Sequence, residues 1–338
     1  YKGVPVKAAN CSFRVNHKEL DFYDGSVNFD YTDYPLRKTY DGPREGVAKV
    51  GRIRYDAPSK TIGVEAVSGE IWAAPMIRFF APKIADDLEQ YRFHKPPSLT
   101  GSGVVDVTPQ GRTDLTVKFS TPGNADYEFL GENLTVSEPR ATVIVRADKV
   151  SISDLSLGAF DGKVTGDLIH TEKSRLTGEF IWSKLSMTSL ASTYGFEMKG
   201  GGLVTGRIDF GITGSEVKTM DGKGLVGLEN AELFSVPVFG PLSTVMSKVL
   251  NDKRMGFERA KSAFFTFNIG EGILSTRDFQ TATTSVSFVG DGEVDLAAKD
   301  IDFTIRLNAR GLLGLITLPL RDRHVAAGAG HKVAYHWE

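Results

Sequence analysis

Apolar and polar residues alternate without exception in the stretch that decides the fold, Ile301-Asp302-Phe303-Thr304-Ile305-Arg306-Leu307-Asn308. Successive side chains of a strand point to opposite faces, so a period of two predicts a strand with one apolar and one polar face. The same alternation recurs in residues 115–119, 204–212 and 265–269. We therefore predict a mostly β chain, an antiparallel meander whose strands each carry an apolar side that something must cover.

Few helices are available to cover it. Only three segments have a helical period, which is too few for the roughly twenty strands that strands of ordinary length would give. They are residues 82–91, 186–194 and 238–250. We expect them to pack on the apolar face or to cap one end of the sheet. The third has the broadest apolar stripe and is the candidate for a helix that lies on a membrane or gates a channel. Its stripe consists of Leu242, Val245, Met246, Val249 and Leu250.

Turns are signalled by Asp-Gly pairs between apolar runs, because both residues tolerate the positive φ of a tight hairpin. Four such pairs predict hairpins, at residues 24–25, 161–162, 221–222 and 291–292. The spacing Gly-x-Gly-x-x-Gly at residues 222–227 fits a dinucleotide loop only where a strand leads into a helix. Here another strand is expected to follow, so we interpret the glycines as a turn.

Composition limits the organisation and the partners. The 338 residues hold no linker, so we expect residues 1–98, 99–199 and 200–338 to be parts of one continuous β body. Forty Lys and Arg against 42 Asp and Glu give a net charge of -2, with no basic stretch that would follow a phosphate backbone. Nucleic acid is therefore not an expected partner.

Residues for chemistry are scarce. The six histidines are scattered, and neither a nucleophile elbow nor a phosphate loop is present. The single cysteine, Cys11, has no partner for a disulfide and is expected to be a small buried apolar residue. We predict a protein that is not an enzyme and has no cofactor and no metal site. No apolar run is long enough to span a membrane, and we expect a fragment of a longer protein whose anchor lies outside it.

The order of motifs in the last 140 residues or so resembles a known family. Residues 224–237 lead into Phe239-Gly240-Pro241-Leu242, and residues 267–279 and 286–296 follow. This succession resembles the C-terminal region of AsmA-like proteins of the diderm bacterial envelope. One departure is Ala231, where the family often has glycine. The earlier part of the chain shares only the style of short strands and glycines.

The resemblance implies a long, curved, mostly antiparallel sheet, a β-taco-like groove, in a periplasmic protein anchored to the inner membrane. It implies binding of phospholipid acyl chains and their conduction between the inner and outer membranes, in support of outer-membrane biogenesis. Two alternatives remain: a structural β-sandwich or solenoid scaffold with a sealed core, and an assembly factor for outer-membrane proteins that uses exposed strand edges. The predicted groove-lining residues are Leu115, Val117, Phe119, Ile208, Phe210, Phe265, Phe267, Ile301, Phe303 and Ile305.

Overall fold

The chain is mostly β, and every described strand pairing is antiparallel, as predicted. It divides into two compact units, one of residues 1–159 with 165–172 and one of residues 160–164 with 173–338. The predicted division at residues 98 and 199 stays a prediction. The computed structural model describes residues 5–32, 43–75, 89–108, 113–129, 132–147, 149–171, 174–195, 201–214, 216–231, 260–282, 286–298, 300–309, 323–328 and 332–336.

Unit 1 is a ladder in which β1 pairs with β2, then β3, β4, β6, β7 and β9 follow, and β10 pairs with β9. β7 and β8 lie end to end along the long strand β9, and the two-residue strand β5 pairs with β8. The strands are β1 Val6–Val15, β2 Glu19–Asp30, β3 Glu45–Asp56, β4 Thr61–Glu70, β5 Arg92–Phe93, β6 Ser98–Asp106, β7 Asp114–Ser120, β8 Asn124–Phe129, β9 Glu132–Arg146 and β10 Lys149–Ala159.

Strand β11, Gly162–Thr171, is divided between the units, and unit 2 is a meander in which each strand from β12 to β20 pairs with the next. The helix α1, Met187–Thr193, and a 3-10 turn at Val217–Thr219 are its described helical elements. Its strands are β12 Arg175–Ser186, β13 Leu203–Thr213, β14 Asp221–Ala231, β15 Ala260–Gly270, β16 Ile273–Ala282, β17 Val286–Asp295, β18 Asp300–Ala309, β19 Arg323–Gly328 and β20 Lys332–His336.

Of the three predicted helices, the second is confirmed. The side chain of Ser186 accepts a hydrogen bond from the backbone N–H of Ser189, and Gly195 follows the helix with φ 73°, as an N-cap and a C-terminal glycine should. Residues 82–88 of the first helix and all of residues 238–250 lie outside the described residues. Residues 89–91, at the end of the first predicted helix, form a turn and a bend instead.

Three of the four predicted Asp-Gly hairpins are wrong. Asp161 and Gly162 lie where β10 ends and β11 begins, and Phe160 and Asp161 there have positive φ. Asp291 and Gly292 are inside β17, and Asp221 begins β14. Residues 222–227 are strand within β14, so the prediction that their glycines form a turn is also wrong. Asp24 has φ 53° inside β2, which is a bulge and not a chain reversal. A bulge uses the same conformational tolerance as a turn, so the dipeptide alone does not separate the two.

The bulge at Asp24 of β2 lies beside further irregular positions in the neighbouring strands β3 and β4. Strand β3 pairs with β2 and with β4 in constant register, but β2 is shifted against β1 and β4 against β6. The extra residues lie at Asp24, Gly51 and Ala66, and Ala66 has φ 53°. Each extra residue reverses the alternation, so Ile53 lies on the same face as Val50 although their numbers differ by three. These irregular positions keep apolar side chains on one face along the whole strand.

Candidate functional site

The apolar side chains of unit 2 lie on one face of its ladder, which we call the apolar face of unit 2. Directly opposed residues of antiparallel strands share a face. Ile208 pairs with Phe180 on one side and Gly224 on the other, and Gly224 pairs in turn with Phe267. The same register carries the face through β16 and β17 to β18. Its larger members are Leu176, Phe180, Trp182, Ile208, Phe210, Val226, Leu228, Phe265, Phe267, Ile269, Leu274, Phe279, Phe288, Val294 and Phe303.

Three aromatic rings of this face lie over glycines of the neighbouring strand. A β-carbon built on Gly206 would lie 2.5 Å from the ring of Trp182, and one on Gly292 would lie 2.6 Å from the ring of Phe303. A β-carbon on Gly224 would overlap the Phe267 ring in the same way. Each ring and glycine are direct cross-strand partners. The rings therefore lie flat against the neighbouring strand, and they make the surface of this face apolar.

Burial differs along the face. Phe267 is 4% exposed and Phe279 5%, while Ile208, Phe210, Phe265 and Phe303 are half-buried. The rings of Phe265 and Phe279 are 6.0 Å apart, and those of Phe279 and Phe303 are 6.3 Å apart. Phe267 and Phe279 are thus enclosed partly by neighbouring rings of the same sheet, and Phe288 on the same face is 1% exposed. Apolar surface remains accessible beside them.

Seven of the ten predicted lining residues belong to unit 2, and those with described side chains share its apolar face. Ile208 and Phe210 lie on it in β13, and Phe265 and Phe267 in β15. Phe303 lies on it in β18. The backbones of Ile301 and Ile305 stand opposite those of Val294 and Gly290, and their side chains lie outside the described residues.

The other three predicted residues lie in unit 1 on its own apolar face. Leu115, Val117 and Phe119 pair with Gly103, Gly101 and Leu99 of β6 on one side. On the other side they pair with Val145, Val143 and Ala141 of β9. All three predicted side chains are half-buried. The alternation of apolar and polar residues therefore predicted side chains that share one face in unit 1 as well.

One end of the apolar face of unit 1 is covered by a second layer, which the sequence did not reveal. Phe29, Tyr31, Ala48, Ile71 and Trp72 form a buried cluster, with Val27, Phe93 and Leu99 packed against it. A β-carbon on Gly46 would lie 3.2 Å from the Tyr31 ring and 3.3 Å from Ile71. Since Gly46 pairs with Phe29 on this face, Tyr31 and Ile71 lie above it. We call this cluster the capped end of unit 1.

The opposite face of unit 2 is mostly polar, although Ile181, Phe264 and Val289 are exposed on it. Arg207 lies there opposite Ile181, and Arg175 donates to Asp221 at 2.8 Å. Asp278 accepts hydrogen bonds from the backbone N–H of Thr266 at 2.8 Å and from its hydroxyl at 2.7 Å. Burial raises the pKa of Asp278, but these hydrogen bonds and that of Thr276 outweigh it and leave the pKa lowered. This carboxylate satisfies an irregular point of the β15–β16 pairing, which is a structural role.

In unit 1, β1 is paired on one side only among the described strands, and all ten of its residues are exposed. Phe13 is 65% exposed and Val15 61%. Cys11 is exposed in the same strand, so the prediction that it is buried is wrong. The prediction rested on the usual burial of a free cysteine, but the strand that carries Cys11 lies at an edge of the described ladder where no described residue covers it.

Within the described ranges, no group of three or more His, Cys, Asp or Glu side chains could hold a metal ion. No described helix is both long and apolar enough to cross a membrane. The candidate gate residues Leu242, Val245, Met246, Val249 and Leu250 lie outside the described residues. The described residues of unit 2 form an apolar face, and such a surface can contact an apolar ligand.

Sequence reasoning missed several members of this surface. Trp182, Phe279 and Phe288 lie on the apolar face of unit 2 but were not among the predicted residues. The signal for Trp182 was present, since Phe180 and Trp182 have the strand spacing of two. Phe279 follows an irregularity between Thr276 and Phe279 that alternation cannot follow. No family model, curated protein or solved structure matches this chain.

Proposed function

We propose that this protein binds the acyl chains of phospholipids along its apolar face and conducts them between membranes. The observation that carries the proposal is the apolar face of unit 2, where half-buried side chains and flat rings form one surface across neighbouring strands. A mostly polar opposite face is suited to water. The activity requires no chemical step, so the protein is proposed to be a carrier and not an enzyme.

The energetics suit movement along the face. Removing a methylene from water contributes about 0.8 kcal/mol, so partial burial of an acyl chain on Ile208, Phe210 and Phe265 offsets much of its exposure outside a bilayer. Rings that lie over Gly206 and Gly224 fill the space above those glycines. A surface of shallow, similar contacts favours sliding over trapping.

The cellular setting of the proposal comes from the resemblance to AsmA-like proteins. It supports a proposal in which the protein lies in the periplasm of a diderm bacterium, is anchored to the inner membrane and takes part in outer-membrane biogenesis. The partners are then phospholipid and the two membranes. No nucleic acid and no cofactor take part.

A second candidate is an assembly factor for outer-membrane proteins. It is favoured by β1, a ten-residue strand that is exposed throughout and carries Phe13 and Val15 at the surface. An exposed strand edge can take an extended segment of another polypeptide by β-augmentation. This activity would use the edge of unit 1 and would not need an open apolar face.

The first experiment is purification of the chain without detergent from a bacterial envelope host, followed by native mass spectrometry and lipid extraction. We expect phospholipid to co-purify at a defined stoichiometry. A lipid-free, monodisperse protein that captures no phospholipid from vesicles would contradict the proposal and favour a sealed scaffold. Co-purification of unfolded outer-membrane protein without lipid would favour the second candidate.

A further inference from the structure

The apolar face of unit 1 continues to the free edge of its ladder. Phe13 of β1 stands opposite Phe22, and the same register continues across β3, β4 and β6 to Leu115 in β7. Directly opposed residues share a face, so Phe13 and Leu115 lie on the same face. Phe13 is nonetheless 65% exposed, and no described strand pairs with the other side of β1. The row of apolar side chains therefore ends at an edge that another strand can continue.

The backbone of β1 presents hydrogen-bonding groups at this edge. The N–H of Asn16 donates to the carbonyl oxygen of Glu19 in β2 at 3.0 Å. Hydrogen-bonded and non-hydrogen-bonded pairs alternate in an antiparallel ladder, so Arg14 bonds to β2, and its neighbours Phe13 and Val15 do not. The N–H and C=O groups of Phe13 and Val15 therefore point to the free edge, where they can pair with another strand.

Cys11 lies on the same apolar face as Phe13. The irregularity beside Cys11 adds its extra residue to β2, so β1 keeps its own alternation there. A β-carbon built on Gly25 would lie 3.1 Å from that of Cys11 and 3.5 Å from that of Val50, which belongs to the apolar face. The residues that share this face and have backbone groups at the free edge are therefore Ala9, Cys11, Phe13 and Val15.

This edge is complementary to itself. In an antiparallel pair, residues whose backbone groups point outward oppose residues of the same kind, so two copies of β1 place one apolar face beside the other. With Cys11 opposite Cys11 of the second copy, the large Phe13 lies opposite the small Ala9. Neither Lys7 nor Arg14 then lies opposite a cation, so this register avoids the opposition of like charges, which is destabilising.

The neighbouring registers of such a pair fit less well. A shift of two residues in one direction places Phe13 opposite Lys7. A shift in the other direction leaves Lys7 and Ala8 without opposed residues in β1 of the second copy. Apolar contact and paired length therefore both favour the register with Cys11 at the two-fold axis.

We propose that the edge of β1 is an interface between two copies of this chain, which pair β1 with β1 antiparallel about Cys11. The two-fold axis is then perpendicular to the sheet, so the apolar faces of both copies of unit 1 lie on the same side and join. This inference goes beyond the proposed function, because backbone groups and register define the pairing without any ligand. Its consequence for that function is an apolar face that passes from one copy to the other.

Disulfide formation tests the register. Directly opposed Cα atoms of such a pair are about 5.5 Å apart, which a disulfide can span, so mild oxidation should join Cys11 of the two copies. The matched control is Ala9→Cys/Cys11→Ser, in which the cysteine is moved by two residues on the same face. Its two copies would lie about 14 Å apart, beyond the reach of a disulfide.

We expect the covalent dimer to form at least ten-fold faster in the unchanged protein than in Ala9→Cys/Cys11→Ser. Labelling of each reduced protein with a maleimide checks that the two thiols are equally accessible. Equal rates of disulfide formation would indicate random collision of exposed thiols and would overturn the inference.

A second measurement does not depend on cysteine. Ala9→Pro removes an N–H that points to the free edge, and an edge strand tolerates proline at such a position. In sedimentation velocity at micromolar concentration, we expect Cys11→Ser to have twice the monomer mass and Ala9→Pro/Cys11→Ser to have the monomer mass. Urea denaturation checks that the proline variant is folded.

A monomeric Cys11→Ser protein would overturn the inference, and so would a monomer whose β1 edge takes up an unfolded outer-membrane protein instead. Phospholipid capture from vesicles is measured on the same samples. Capture by a monomeric Cys11→Ser protein would retain the proposed function and reject the dimer. A dimer that captures no phospholipid would retain this inference and reject the proposed function.

Discussion

The ring of Phe267 lies directly over Gly224, its partner across strands β14 and β15. A β-carbon at Gly224 would overlap the ring and would also overlap the carbonyl oxygen of Arg207. Because Gly224 has no side chain, the Phe267 ring can lie directly against its backbone and cover it. The same arrangement recurs for Trp182 with Gly206.

This relationship predicts that Gly224→Ala destabilises the protein by about 1–3 kcal/mol, the usual effect of overpacking. The measurement is the free energy of unfolding from urea denaturation. The matched control is Gly227→Ala in the same strand, where the new β-carbon would lie 3.7 Å from the Thr205 carbonyl, an ordinary contact. Equal losses in the two variants would contradict the packing argument.

The bulge at Ala66 predicts a substitution that does not lower the stability of the protein. Ala66 has φ 53°, a conformation that costs a residue with a β-carbon about 1–2 kcal/mol. Ala66→Gly removes that strain but loses some entropy, so we expect unchanged or higher stability, by up to about 1 kcal/mol. Ala9→Gly, in the exposed strand β1, should instead lose about 0.5–1 kcal/mol. Differential scanning calorimetry of both variants tests this, and a clear loss of stability in Ala66→Gly would refute it.

The sequence predicted the β class and the faces of regular strands because alternation directly encodes which side of a sheet a residue occupies. Ile208 and Phe210 in β13 and Phe265 and Phe267 in β15 follow this rule without interruption. The rule fails where a residue is added. Asp24 was predicted to turn the chain, but its positive φ reverses the alternation within β2.

Long-range packing could not be predicted in the same way. Nothing near Trp72 in the sequence says that it packs against the apolar face of unit 1, because Phe29 and Ala48 of the same cluster belong to other strands. The exposure of Cys11 likewise depends on the position of β1 at an edge of the described ladder. Such facts follow from strand order, which a local pattern does not contain.

The ion pair of Asp21 and Arg52 predicts a pH dependence of stability. The guanidinium donates to both carboxylate oxygens, at 2.8 and 2.7 Å, and the hydrogen bond from Arg52 is the main reason that the pKa of Asp21 is lowered. A carboxyl whose pKa is lower in the folded state stabilises above its unfolded pKa of about 3.9. That contribution is lost as the pH falls through the lower, folded value.

We therefore expect Asp21→Asn to lower the urea midpoint at pH 7, and the difference from the unchanged protein to shrink as the pH falls below about 4. The control is Asp291→Asn, whose partner Arg306 is 3.8 Å away and whose side chains are both about half exposed. That pair should have little effect at either pH. A deficit of Asp21→Asn that stays constant from pH 7 to the lowest pH at which the protein folds would be inconsistent with the ion pair as its cause.

The proposed lipid path is tested most directly by placing one carboxylate on either face of unit 2. Ile208 is half-buried on the apolar face opposite Phe180, whereas Ile181 is 45% exposed on the polar face opposite Arg207. Ile208→Asp and Ile181→Asp thus make the same chemical change in adjacent strands. A charge on the apolar face opposes contact with an acyl chain, because a carboxylate has a large cost of desolvation.

We expect Ile208→Asp to reduce phospholipid capture from vesicles by at least five-fold, while Ile181→Asp retains capture. The stability of both variants is measured by urea denaturation, and Ile208→Asp is compared with Ile208→Ala to separate the charge from the lost volume. Ile208→Ala should keep most of the capture, since the face stays apolar. Full capture by folded Ile208→Asp would exclude from the lipid path the part of the face where Ile208 lies opposite Phe180 and Gly224.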